Sequence, residues 1–500
     1  MAVRWGNRLL ALMAGAGLAL AFPAINAWWW AWLGLVPILI LLSAAGSARE
    51  AAVGSWLAAV GFFATLHYWV LPSLGAFSVL AVAVVGLAWI PFGLVAYGLL
   101  RGVTPARLLA AMLVLPSVWL VVEVLRSWKH LGGAWGLLGL SQWQARPILA
   151  VAAVGGVWLL SFLLVAVNVG LTAAVLPRVR PGTRLTGVGV ATVLVVAAVG
   201  FGLLRPEPLV TGTMRVAGVQ SGDVPGPERR LAAHLRLTRE LAGRGHDVIV
   251  WGQSSVAFDP AQRLDVDLRL RRAAAEAGSD LLVNVDAADP SGRITKSTYQ
   301  YSADGVIGMY VKQRLVPFGE YVPLRPMLGW LTDVTEAAEK DRSPGDTPTT
   351  LRVSRYVVGP LISYESTFPD MRRRLARMGV HVTIVQGSLT TFHGSWAHAQ
   401  QASFEAVRAV ESGRPAVLVE ADGTSAAFDA RGRPLAWVPP GYRGTFIVDV
   451  PVSREVTPYV RLGDWVPVLA GAIVIGAGIL AGIRRSGRAV GRAGKPARDR

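Results

Sequence analysis

Apolar residues run on almost without interruption through the first two hundred positions. Stretches of this kind cover about 8–25, 27–45, 51–71, 79–100, 107–125, 148–177 and 186–204, and one more, 465–483, lies near the C-terminus. Most hold 18 or more residues, the length at which a helix crosses a hydrocarbon core of roughly 30 Å. The pattern predicts seven spans, a polar domain and an eighth span. From 206 the period changes. Strand-like runs fall at 214–219, 247–251, 280–285, 295–302, 305–312, 357–363, 381–386, 416–421 and 444–450. Helix-like runs fall at about 227–243, 264–277, 367–378 and 396–412, the last with a small-residue face of Ala399, Ala402, Ala406, Ala409 and Val410. Strands separated by helices imply a layered α/β domain. Stretch 328–349, containing Asp341-Arg342-Ser343-Pro344-Gly345-Asp346, shows no period and reads as a long loop, a candidate lid. The expected organisation is a membrane domain over 1–205, a polar domain over 206–463, a last helix over 464–483 and a basic tail over 484–500.

Composition agrees: 53% of residues are hydrophobic and 16% charged, against about 25% charged in soluble domains. The net charge of +17 sits at the membrane flanks. Residues 1–205 hold 12 basic residues and two acidic ones, Glu50 and Glu123; residues 484–500 hold seven basic residues and Asp499. The middle is nearly neutral, so composition lends no support to a nucleic-acid partner. Loop arginines set the orientation. Arg4 and Arg8, Arg49, Arg101 and Arg107, the group Arg178, Arg180 and Arg184, and the tail fall on one side. Both termini are therefore expected in the cytoplasm, with 206–463 outside. Arg4 and Arg8 before an apolar run also fit a signal peptide, but another span follows at once without a clear cleavage site. The chain has no cysteine, which excludes disulfides, thiolate metal sites and a cysteine nucleophile. No metal or cofactor is expected.

The fifth loop breaks the charge rule with Arg126, Lys129 and Arg146 on the outer side. This is either scatter in a statistical rule or a site that meets lipid phosphate. Glu123 and Arg126, at i and i+3, are spaced to pair with each other, and an acid within a span is a functional candidate. Trp28, Trp29, Trp30 and Trp32 read as an interfacial aromatic belt. A channel or transporter has little support, because the spans carry no chain of acids or lysines to relay ions.

Three polar clusters end apolar strands, where sites of α/β sheets tend to sit. They are Val248-Ile249-Val250-Trp251-Gly252-Gln253-Ser254-Ser255, the segment Tyr310-Val311-Lys312 through Phe318-Gly319-Glu320-Tyr321-Val322-Pro323, and Gly359-Pro360-Leu361-Ile362-Ser363-Tyr364-Glu365-Ser366-Thr367-Phe368-Pro369. At these residues the chain resembles the bacterial apolipoprotein N-acyltransferases of the nitrilase superfamily. Phe22-Pro23 with the Trp cluster, Glu123 with Arg126, Ser141-Gln142, Gly156 through Ser161-Phe162 to Asn168, and Glu411-Ser412-Gly413-Arg414-Pro415 agree. The resemblance implies an α-helical membrane bundle of about eight spans joined to a nitrilase-like (carbon-nitrogen hydrolase) α-β-β-α sandwich outside the bacterial cytoplasmic membrane. It implies acyl transfer from a phospholipid to the N-terminal diacylglyceryl-cysteine of lipoproteins, through a thioester on the enzyme. The family's triad is Glu as base, Lys for the oxyanion and Cys as nucleophile. Lys312 matches the lysine, Gln253 stands where the glutamate belongs and Ser363 where the cysteine belongs. Glu320 matches a supporting glutamate. Tyr364, Glu365, Glu123 and Arg126 are the implied substrate-binding residues. The later Asn-Asp segment is altered, reading Gln386-Gly387-Ser388-Leu389-Thr390-Thr391-Phe392, with His398 and Gln400 following.

Lys312 is one of five lysines among 49 basic residues, so its presence suggests a requirement for a compact ammonium. The two substitutions weaken proton transfer together. A serine hydroxyl needs a well-placed base, and Gln253 cannot hold a proton; losing a general base costs about 10²–10⁴-fold. Glu320, Glu365, His393 or His398 are candidate stand-ins. There is no Gly-x-Ser-x-Gly elbow. Two readings follow: a membrane acyltransferase with a serine nucleophile, or an inactive homologue that binds lipid or lipoprotein beside an active copy.

Overall fold

The structure is a computed structural model that describes residues 2–289, 291–333, 335 and 338–493. The end of the expected basic tail, with Lys495, Arg498 and Arg500, lies outside the described residues.

Five helices are long and apolar enough to cross a membrane: Ala76–Leu100, Pro105–Arg126, Ala152–Val175, Pro181–Leu204 and Trp465–Ile483. Ala48–Leu66 and Tyr68–Leu74, bent by 64°, make a sixth if counted as one span. Among the described residues these five or six meet the length and hydropathy of a span, against the eight expected. The first apolar run forms a 17-residue helix, Ala2–Leu18. The second divides into a 3-10 turn, Trp28–Trp32, and a nine-residue helix, Val36–Ala44. Hydropathy counts apolar side chains but not backbone breaks. Pro23 and Pro37 each lack an N–H, and Asn26 holds a left-handed φ of 60°. Broken backbone among apolar helices survives only where other groups satisfy it. Asn168 Oδ1 accepts the Leu35 N–H at 3.0 Å, and its Nδ2 donates to the Ala31 carbonyl at 2.9 Å. Gln142 Nε2 donates to the Trp28 carbonyl, and the Trp32 indole donates to Gln142 Oε1, both at 2.9 Å. The tryptophan cluster, expected as an aromatic belt, is tied into the helical core.

The polar domain has two six-stranded sheets. The first contains β1 (Val210–Gln220), β2 (Val248–Trp251), β3 (Asp280–Ala288), β4 (Ile294–Ser302), β5 (Gly305–Val311) and, from the end of the domain, β12 (Gly444–Ser453), ordered β12-β1-β2-β3-β4-β5. The second contains β6 (Leu351–Val353), β7 (Tyr356–Ile362), β8 (Val382–Gly387), β9 (Ala416–Glu420), β10 (Ser425–Phe428) and β11 (Pro434–Val438), ordered β11-β10-β9-β8-β7-β6. All nine expected strands are present. The three that the pattern missed are β6, β10 and β11, of three to five residues.

Val216, Val248, Val250 and Leu282 of the first sheet meet Val358, Val382, Ile384, Val417 and Val419 of the second in one core. Helices Pro227–Arg239 and Leu264–Ala277 cover the other face of the first sheet, sharing Leu231, Leu237, Val266 and Leu270 with Ile249, Trp251 and Val283. Helices Pro369–Arg377 and Ala397–Ser412 cover the second sheet and pack against the membrane helices in one continuous apolar cluster. The result is the expected α-β-β-α sandwich. Ala397–Ser412 is buried along nearly its whole length. The Trp135 indole donates to its Gln400 Oε1 at 2.8 Å. Glu411 Oε1, at its other end, accepts the Val157 N–H at 2.7 Å. That N–H is freed by the break at Gly155 and Gly156, where Gly156 takes φ 67° against the Tyr459 ring. Two separated sequence motifs thus meet as one helix cap. The expected loop at 328–349 carries a 3-10 turn, Gly329–Asp333.

Candidate active site

The three polar clusters emerge at neighbouring strand ends. Gln253 lies just beyond β2. Its N–H donates to the Gly387 carbonyl at 2.9 Å, and the Ala421 N–H donates to the same oxygen at 2.9 Å. The two sheets approach closely here: a Cβ on Gly252 would lie 2.2 Å from the Ala421 nitrogen, so only glycine fits. Gln386 locks the approach by donating to the carbonyls of Trp251, at 2.8 Å, and Leu282, at 3.0 Å. The Gln253 side chain is buried, and among the described residues its Oε1 has no hydrogen-bond partner.

Lys312 follows β5 and is completely buried. Its Nζ donates to Glu320 Oε1 at 2.9 Å and Oε2 at 2.8 Å. Glu320 also accepts the Val316 N–H at 2.9 Å and lies 3.6 Å from Arg342. Burial alone would raise the Glu320 pKa, but Lys312 and Lys296 outweigh it and hold the carboxyl below its ordinary value. Glu320 is therefore an anion committed to fixing the lysine.

Ser363 follows β7 and opens the 3-10 turn Ser363–Thr367, with φ 48°. A left-handed non-glycine residue between a strand and a helical turn is strained, and such strain gathers at functional sites. Glu365 holds this corner. Its Oε1 accepts the N–H groups of Gln313, at 2.7 Å, and Arg314, at 3.0 Å, and the Tyr310 hydroxyl at 2.8 Å. Its Oε2 accepts the Ile362 N–H at 2.8 Å. Glu365 thus couples the Lys312 segment to the Ser363 turn. The Tyr364 hydroxyl donates to the Lys129 carbonyl at 3.0 Å and so reaches the fifth loop.

Gln253, Lys312, Glu320, Ser363, Tyr364 and Glu365 therefore converge. Glu123 and Arg126 do not join them, nor do they pair with each other within ion-pair distance, contrary to their spacing. Glu123 Oε1 accepts the Leu138 N–H at 2.7 Å, and Arg126 binds the carbonyls of Trp135 and Gly136. The turn at 135–138 offers unsatisfied backbone groups to both, which outbid an i, i+3 contact. A cavity of about 380 Å³ lies beside this turn, lined by Ser127, Trp128, Lys129, Arg314, Phe368 and Asp370 among others. It abuts the Tyr364 corner rather than containing Ser363.

Two groups escaped the reading of the sequence. Lys296, on β4, is buried, donates to both Asp286 oxygens at 3.0–3.1 Å and to the Ser254 hydroxyl, and contributes to the field on Glu320. Its rarity as one of five lysines was the available signal. Glu420 ends the apolar strand Ala416–Glu420 and is 1% exposed. Its charge in such a strand was a signal too.

The chain matches the family described as apolipoprotein N-acyltransferase N-terminal domain over residues 14–170, and that described as carbon-nitrogen hydrolase over residues 215–457. A Pseudomonas putida protein named apolipoprotein N-acyltransferase is 31% identical, covering 96% of this chain and 97% of its own. A Geobacter metallireducens protein of the same name is 28% identical, covering 95% and 94%. Among solved structures, an amidase from Nesterenkonia sp. aligns at 19% identity and a TM-score of 0.37, covering 49% of this chain and 93% of that one.

Proposed function

The chain belongs to the apolipoprotein N-acyltransferase family, and from that premise we propose that it transfers an acyl chain through an ester on Ser363. The donor is a membrane phospholipid. The acceptor is the amino group of a diacylglyceryl-cysteine at a lipoprotein N-terminus. The observation that carries this reading is the buried Lys312–Glu320 pair, with Nζ–O distances of 2.8–2.9 Å, on a segment that Glu365 ties to the strained Ser363 turn. A completely buried ammonium is costly unless it serves something. Here it serves the oxyanion that forms when Ser363 Oγ attacks the ester carbonyl. Glu320 orients Lys312, and Glu365 fixes the corner on which Ser363 sits. The cavity beside Lys129 and Arg314 suits a lipid headgroup. The chain is placed in the bacterial cytoplasmic membrane with both termini inside and the sandwich outside, in keeping with the loop arginines.

One observation favours a second reading, a homologue that binds these substrates without turnover, alongside an active copy. Gln253 occupies the family's base position and cannot take a proton. The deciding experiment is the mass of a diacylated lipopeptide after incubation with phospholipid and the purified chain, beside a Gln253→Glu, Ser363→Cys double variant. An added acyl mass with the native chain establishes the serine enzyme. Acylation by the double variant alone establishes the binding homologue. Acylation by neither refutes the substrate assignment.

A further inference from the structure

We propose that Glu420 is the general base for Ser363, replacing the carboxylate that Gln253 lacks. The proposal rests on the acyl-transfer reading above and deepens it by supplying its missing proton acceptor.

The register of the second sheet sets the placement. Ile362 pairs with Gln386 across β7 and β8, and Ser363 is the first residue beyond that pairing, where β7 ends beside the Gly387 end of β8. Gly387 pairs with Glu420 across β8 and β9. Ser363, Gly387 and Glu420 therefore stand in a row across three adjacent strand ends. With strands about 4.8 Å apart, the outer two backbones are separated by roughly 10 Å. The middle position has no side chain, and Glu420 fills the space. A Cβ on Gly387 would lie 1.9 Å from Glu420 Oε1 and 2.6 Å from its Cδ. The carboxyl thus leans off its own strand and over Gly387, in the direction of Ser363. The same Gly387 carries Gln253 on its carbonyl, so the base position of the family and Glu420 flank one residue.

Glu420 is also the acid left free to do this. Both its oxygens are buried, and among the described residues the Leu389 N–H alone approaches them as a donor, outside good hydrogen-bond geometry. Glu320 is engaged by Lys312 through both oxygens, and Glu365 by three backbone N–H groups and a tyrosine. His393 is more than half exposed and lies 3.2 Å from Asp422. A buried carboxyl with so little hydrogen bonding is expensive, and a functional use explains its retention. Burial raises the Glu420 pKa well above the ordinary carboxylate value, the Leu389 N–H opposes this in part, and Asp422 and Glu405 add to it. His398 lies on the far side. Its Nδ1 and Glu420 Oε2 are each 3.0 Å from the point a Cβ on Gly423 would occupy, and both its ring nitrogens are unpartnered among the described residues.

The step balances within the site. Ser363 Oγ bonds to the phospholipid ester carbon, its proton passes to Glu420, and the carbonyl electron pair moves onto the oxygen facing Lys312. When that intermediate collapses, the ester C–O bond breaks and Glu420 returns the proton to the lysophospholipid alkoxide. The lipoprotein amine then attacks the serine ester and gives a proton to Glu420. Cleavage of the C–Oγ bond brings that proton back to Ser363.

The test is the labelling rate of the full-length chain in micelles by a fluorophosphonate, a serine-reactive probe that needs neither substrate, with the site mapped by peptide mass. Labelling is expected at Ser363. Glu420→Gln should slow it by about 10²–10⁴-fold, and Gln253→Glu in the same chain should restore it. Four results would overturn the proposal: a native chain unlabelled at Ser363; a Glu420→Gln variant labelled at the native rate; loss of labelling in His398→Gln but not in Glu420→Gln; or a slow Glu420→Gln variant that has lost thermal stability and is not rescued. Acylation of a diacylated lipopeptide is measured in parallel. Glu420-dependent labelling without acyl transfer keeps the base and removes the substrate assignment, so the two failures are distinct.

Discussion

Lys312→Met removes the ammonium and leaves Glu320 buried with the Val316 N–H at 2.9 Å and Arg342 at 3.6 Å. The lost attraction at 2.8 Å is roughly 6 kcal/mol at an effective dielectric constant near 20. Relieved desolvation of the lysine offsets part of it. Breaking a buried pair from one side usually leaves a net loss of about 3–5 kcal/mol. The cost also has a pH signature. In the native chain the Glu320 pKa lies below its ordinary 4.5, so its contribution is full above about pH 4.5 and lost as pH falls through the lower folded value. In the variant the carboxyl is freed from Lys312 but still buried, so its pKa rises and low pH relieves the strain. The difference between the two chains is therefore largest at neutral pH and shrinks on acidification. Thermal unfolding in micelles reads this directly. At about 2–4 °C per kcal/mol, the midpoint should fall by roughly 6–20 °C at pH 7 and by much less at pH 4. Glu320→Leu added to Lys312→Met should recover a large part of the loss. A Lys312→Met midpoint within about 2 °C of native at pH 7, or a gap that widens on acidification, would refute the assignment of this pair.

Other residues carry separate tests. Gly252→Ala puts a Cβ 2.2 Å from a backbone nitrogen of the facing sheet; the sheets must part there, costing about 1–3 kcal/mol, and fluorophosphonate labelling of Ser363 should fall with the unfolding midpoint. Ser363→Gly relieves a left-handed φ of 48° but adds glycine's entropy, so the midpoint should hold or rise by up to about 1 kcal/mol equivalent while acyl transfer disappears; a clear destabilisation would mean the corner is not strained. Trp135→Phe deletes the 2.8 Å bond to Gln400 that joins the fifth loop to the sandwich and should cost about 1 kcal/mol, seen as a midpoint shift of a few degrees. Glu411→Gln keeps an oxygen for the Val157 N–H, whereas Glu411→Ala leaves that N–H buried without its acceptor; both lose the buried ion pair with Arg408, and the second should lose about 1–3 kcal/mol more than the first.

Periodicity alone was enough for the broad outline. Long apolar runs can only be buried in lipid or protein, and alternating elements of the right length can only layer, so the helical region, nine of the twelve strands and the four flanking helices were legible. Where the apolar backbone breaks was not, because hydropathy is blind to backbone donors: the stretch around Pro23, Asn26 and Pro37 leaves the helix, and distant Asn168 and Gln142 satisfy the backbone groups of 28–35. The candidate residues at strand ends were legible from their type and from the resemblance they carry. Which of them meet was not. Glu123 and Arg126 are spaced as a helical pair, yet the backbone of the turn at 135–138 competes for both and wins.

What the sequence determined by itself is therefore chemistry and period: a chain without thiols, rich in arginine, with Lys312 kept and with Ser363 and Gln253 at two sensitive positions. What tertiary structure decided is proximity. Glu420 lies 57 residues from Ser363 in the chain, and only the pairing of β7 with β8 and β8 with β9 puts the two in one row. No local pattern encodes a strand register, because register follows from packing both faces of the sheet at once.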